Sequence, residues 1–115
     1  MAKLLIHLVN PRFASAVAED LKLSPSAESL EIQIAANRPE ISLADLDGVD
    51  ALVCSLDTAT AVRAMGWNGL LTAALTREPS QAVDERMIGL GIKYWQVFPQ
   101  FRSFHMPQAP ASRAV

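Results

Sequence analysis

The sequence predicts a doubly wound α/β domain built on a five-stranded parallel sheet. Two observations carry that reading. Short, nearly continuous apolar runs alternate with segments of helical period, the pattern of strands buried on both faces and joined by helices. The chain then closes on Gly89-Leu90-Gly91-Ile92-Lys93-Tyr94-Trp95-Gln96-Val97-Phe98-Pro99, where a helical pattern runs into a glycine, an apolar and aromatic run follows, and a proline stops it. The 115 residues suffice for one domain, and half of them are apolar, enough for a sizeable core.

Leu4 to Val9 is the first apolar run and reads as a central strand. Asn10-Pro11 starts a helix, since asparagine caps and proline suits the first helical position. Phe13, Val17 and Leu21 then share one face, and Ser24-Pro25-Ser26 ends the helix. Leu30, Ile32 and Ile34 alternate with Glu31 and Gln33, a strand with one wetter face near a sheet edge. Arg38 to Leu46 is a weak helix or a loop, and Asp47-Gly48 a turn. Ala51 to Ser55 is the next buried strand. Thr58 to Met65 follows as a short helix capped by Asp57 or Thr58, with Gly66 near its end. Leu70 to Thr76 is a fourth strand. Pro79-Ser80 opens a helix in which Val83, Met87 and Leu90 share a face, and the closing strand completes a β-α-β-α-β-α-β-α-β order.

Ligands of such sheets bind at the carboxyl ends of the strands, here Asn10, Ser55 to Asp57, Thr76 and Phe98. These positions, with the closing Gly91 and Pro99, resemble a response-regulator receiver (CheY-like) domain over Leu4 to Pro99. The resemblance implies a flavodoxin-like sheet in the order 2-1-3-4-5. A receiver carries two acids after its first strand, an aspartate acceptor after its third, a Ser/Thr after its fourth and a lysine before the final proline, which together hold Mg²⁺ and a phosphoryl group. Here those positions fall on Asn10 and Pro11, Ser55, Thr76 and Phe98, and Trp95 stands at the switch aromatic. The skeleton is kept and the metal and phosphate chemistry is not. The chain is most like the degenerate receivers of amidase- and nitrate-operon antiterminators. The antiterminators continue into an RNA-binding helical domain that is not expected here, and residues 100–115, with two prolines and no helical period, are expected to supply no fifth helix. The division expected is 1–99 for the domain and 100–115 for a Pro/Ala-rich tail.

A net charge of −2 with no basic run disfavours nucleic acid as a partner of this chain alone. Cys54 is the only cysteine, which excludes an internal disulfide and a Cys-rich metal site, and it reads as a small buried hydrophobe. No apolar run reaches membrane-spanning length, and the first is too short for a signal peptide, so a cytoplasmic domain without a membrane partner is expected. Ser55 reads as a hydroxyl at a strand end and His7 as a strand residue, neither as part of a triad. Gly89 and Gly91 end a helix and form no phosphate loop.

The expected function is a phosphorylation-independent regulatory or adaptor domain in signalling or gene regulation, non-enzymatic and without cofactor or metal. It would act through a protein partner or as a homodimer. Tyr94, Trp95, Phe98, Phe101 and Phe104 are the expected contact surface, because the missing helix would leave Leu4 to Val9 and Ile92 to Phe98 uncovered. Two alternatives stand beside this one. Asn10, Ser55, Asp57, Thr76 and Phe98 would form a small-molecule or enzyme cleft, or Asp57 would be a displaced phosphoacceptor.

Overall fold

Five strands pair in parallel in the order β2-β1-β3-β4-β5 in the computed structural model, which describes residues 2–36 and 40–101. The strands are β1 (Ala2–His7), β2 (Leu30–Ala35), β3 (Ala51–Cys54), β4 (Leu70–Leu75) and β5 (Tyr94–Val97). Three α-helices connect them: α1 (Pro11–Lys22), α2 (Leu56–Ala64) and α3 (Gln81–Gly89). The fold is the expected flavodoxin-like α/β sheet. The expected helix count is not met in one crossover, where the described residues 40–46 contribute a 3₁₀ turn over Leu43–Leu46 and no α-helix; Arg38 lies outside the described residues. The Ser42 N–H donates to Asp45 Oδ2 at 2.8 Å and tightens that turn.

Each helix starts where a short polar side chain meets orphaned N–H groups. Asn10 Oδ1 accepts from the N–H of Arg12 (2.9 Å) and of Phe13 (3.3 Å), and Pro11 in the first turn has no N–H to satisfy. Ser55 Oγ accepts from Thr58 N–H, so the cap of α2 is Ser55, and Asp57 and Thr58 lie inside its first turn. Ser80 caps α3 in the same way. Both α2 and α3 end in a Schellman motif, in which a left-handed glycine returns two N–H groups to the last turn. In α3, Gly91 has φ +74°, its N–H reaches the Ile88 carbonyl and that of Ile92 the Met87 carbonyl. Gly66, φ +91°, does the same for α2.

The sheet divides the core. Leu5, Leu52, Cys54, Leu71, Ala73 and Leu75 pack under α2 and α3, against Val62 and Met87. Leu4, Ile6, Leu8, Val53 and Ala74 pack under α1, against Phe13 and Val17. Fully burying side chains such as Ile6, Leu52 and Leu71 stabilises by about 1.5–3 kcal/mol each. The strand at Leu4 is therefore covered, not left to water as the missing helix suggested. Val9 lies beyond the end of β1 and is exposed, not in mid-sheet.

The closing segment supplies part of that cover. After β5 the chain makes a short 3₁₀ turn over 99–101. Phe98 meets the Phe13 ring edge-on at 5.5 Å, and Phe101 stacks on it at 4.9 Å. Both rings are buried in this chain's own core, so the expected contact surface is corrected at these two positions. The reason is geometric: the turn brings Phe101 back over the first turn of α1, where a ring can sandwich Phe13. No α-helix follows β5 among the described residues. Phe104 and the rest of 102–115 lie outside them.

Candidate functional site

The carboxyl ends of β1, β3 and β4 open into a cavity of about 380 Å³. Four of the five residues expected there line it: Asn10, Ser55, Asp57 and Thr76. The parallel register brings them together: His7 pairs with Cys54, so β1 and β3 end at one level, and Cys54 pairs with Ala73, so β4 runs only two residues further before Thr76. Phe98 does not line it; its ring turns under α1.

Most of the polar groups at the rim are already engaged. Asn10 Oδ1 caps α1. Ser55 Oγ caps α2 and donates to Thr58 Oγ1 at 3.3 Å. Asp57, whose side chain is 94% exposed, accepts from Arg86 at 3.1 Å. Arg86 also donates to Thr60 Oγ1 at 2.9 Å, which ties the start of α2 to α3. The walls between them are apolar, formed by Phe13, Leu56 and Leu75. Among the described residues no group of three His, Cys, Asp or Glu side chains stands close enough to hold a metal ion.

Two lining residues were not legible as site residues. Arg86 reaches the rim from α3, 29 residues from Asp57, with no local pattern to announce it. His7 is the one polar side chain in the apolar run of β1, and that interruption is the available signal. It is almost fully buried, and its Nε2 meets the Glu40 carbonyl at 3.1 Å. A carbonyl only accepts, so Nε2 donates in this contact, and the buried Nδ1 has no partner among the described residues. Cys54, next to the site on β3, is sealed. Burial pushes its thiol up to about 12, against a smaller opposing effect of the Arg63 charge, so it carries no thiolate at neutral pH.

The β5 side of the sheet differs from the strand ends. Tyr94 is 60% and Trp95 42% exposed, pointing to opposite faces of an edge strand. No helix among the described residues is long and apolar enough to cross a membrane. No protein-family model and no curated protein matches this sequence.

Proposed function

We propose that this chain is a phosphorylation-independent regulatory or adaptor domain, a degenerate receiver that acts by binding a protein. One observation carries the reading: the residues standing at the receiver's chemical positions are committed to structure. Asn10 and Ser55 are helix caps, Pro11 is a first-turn proline, and Phe98 is core. A phosphoacceptor needs a carboxylate beside a divalent cation held by further carboxylates. Asp57 has instead a guanidinium as its neighbour and faces solvent. The exposed rings of β5 supply a surface suited to a partner.

The test is nuclear magnetic resonance of the full chain with beryllofluoride and Mg²⁺, and mass spectrometry after acetyl phosphate. The expected result is no shift at Asn10, Ser55, Asp57 or Thr76 and no added mass. Stoichiometric, Mg²⁺-dependent modification that disappears in Asp57→Asn would establish an active receiver instead.

A second reading has its own observation. Because Phe98 turns away, the strand-end cavity is not plugged, and its volume lies in the range of small-ligand sites. Soaking with small neutral and anionic fragments, read on the same four amides, tests it. Shifts confined to those amides support a ligand-binding role.

A further inference from the structure

On the α1 face, the outer part of the sheet around Leu70, Thr72, Tyr94 and Gln96 is uncovered among the described residues. A groove of about 450 Å³ runs there between α1 and β5, with Ala16, Glu19, Asp20 and Leu23 on the helix wall and Gln96 and Phe98 on the sheet side. A smaller hollow beside it is floored by Thr72 and Ala74. The apolar rim is bare: Leu23 is 83% and Leu70 44% exposed, and Tyr94 stands at the outer edge. Strand alternation puts Leu70, Thr72 and Ala74 of β4 on the same face as Tyr94 and Gln96 of β5. This is a strip of sheet face, not a sheet edge, and layered α/β folds cover a sheet face with a helix.

The charges select the occupant. Glu19 and half-buried Asp20 stand one turn above Leu23 on the groove wall, and neither carboxylate has a hydrogen-bond or ionic partner among the described residues. A second copy of this chain joined groove to groove about a two-fold axis would bring these acids against their own equivalents, which disfavours that arrangement. We propose that the groove receives an amphipathic helix from a different protein, with an apolar stripe on Leu70, Thr72 and Tyr94 and arginine or lysine beside it facing Glu19 and Asp20. The inference deepens the protein-binding reading above and rests on it.

The experiment uses the full chain and two synthetic helical peptides of one length. Both carry a leucine stripe, flanked by arginine in one and by glutamate in the other. The arginine peptide is expected to shift the amides of Glu19, Asp20, Leu70, Tyr94 and Gln96, and to bind about tenfold more tightly than the glutamate peptide, the scale of two rim ion pairs. The double variant Glu19→Lys/Asp20→Lys, with unchanged circular dichroism, is expected to reverse that preference. Equal binding of the two peptides overturns the proposal, as does a preference that the double variant leaves in place. Shifts confined to Trp95 and Ile88 on the opposite face also overturn it while leaving the protein-binding reading intact. Groove amides that move when residues 102–115 are deleted would assign the groove to the chain itself and overturn it too. Failure of the regulatory reading shows separately, as Mg²⁺-dependent phosphorylation.

Discussion

Arg63 holds together three pieces of backbone that secondary structure alone leaves loose. Its Nε donates to the Leu90 carbonyl at 2.7 Å, and one terminal nitrogen donates to the carbonyls of Trp67 (3.0 Å) and Gly69 (2.8 Å). One side chain therefore joins the end of α2, the turn into β4 and the end of α3. The Leu90 carbonyl lies at the C-terminus of α3, where carbonyls lack helical partners and a cation is favoured, and those of Trp67 and Gly69 lie in the turn from α2 into β4. A hydrogen bond from a charged donor contributes about 1.5–3 kcal/mol, so three give a gross figure of about 4.5–9 kcal/mol. Ordering the arginine costs about 2 kcal/mol, and half-exposed carbonyls regain water when it is removed. Arg63→Ala is therefore expected to lose about 3 kcal/mol, and for a domain of this size each kcal/mol lowers Tm by roughly 4–8 °C. Arg63→Lys should lose about 2 kcal/mol, because one ammonium on a flexible stem cannot span three separated carbonyls. Urea denaturation of the three proteins measures this, with hydrogen exchange at Gly91 and Ile92 as a local report. A loss below about 1 kcal/mol for alanine, or a lysine variant equal to wild type, would refute the clamp.

Three further outcomes follow from the core and the strand ends. Cys54 is neutral when buried and titrates near 9 when unfolded, so its contribution is complete below pH 9 and is lost as pH rises toward about 12; Cys54→Ala should flatten the alkaline fall in stability, measured by urea titration from pH 8 to 11, and the wild-type thiol should resist thiol reagents at neutral pH. Phe98→Lys should restore no phosphorylation and should destabilise by about 3 kcal/mol or more, since it removes a buried ring packed on Phe13 and puts a cation in its place; calorimetry and acetyl phosphate labelling check both halves. Asn10→Ala should cost about 1 kcal/mol by freeing the two capped N–H groups, whereas Asn10→Asp should keep the cap, as thermal melts would show.

Strand order and parallel pairing were legible because each buried strand announces itself as an apolar run, and the edge position of β2 because Glu31 and Gln33 alternate with its apolar residues. The Gly91 cap was legible for a local reason: a left-handed residue after a helical pattern is nearly always glycine. The second crossover was not, because a 3₁₀ turn such as Leu43–Leu46 leaves no period to read. Four pocket residues could be named, since the end of a parallel strand fixes where its next residue lies. Phe98 and Phe101 could not be placed. A ring after a strand packs inward or faces a partner according to the turn that follows, and that turn depends on the distant Phe13. Arg86 and Arg63 stayed hidden for the same reason, as their partners are set by the packing of helices and not by neighbours in sequence.

On the degenerate-receiver reading proposed above, Asn10, Pro11 and Phe98 are best understood together. Two acids at 10 and 11 would place negative charge at the first turn of α1, directly above Phe13 and the ring that packs on it. Without a lysine at 98 those charges would lack their cation, and carboxylates crowded at a half-closed cavity repel and take up protons. A lysine at 98 without the acids would be equally stranded, among buried rings. Replacing the acids with a neutral cap and a proline, and the cation with a ring, removes both signs together. What remains charged at the rim is Asp57 and Arg86, which neutralise each other. The end of the sheet where a receiver would hold a phosphoryl group and Mg²⁺ is thus electrically balanced in this chain without either. Among the described residues, Glu19 and Asp20 carry carboxylates without a partner, on the flank of α1 beside the uncovered strip of β4 and β5. A partner that reads this molecule by charge would approach that flank and not the strand ends.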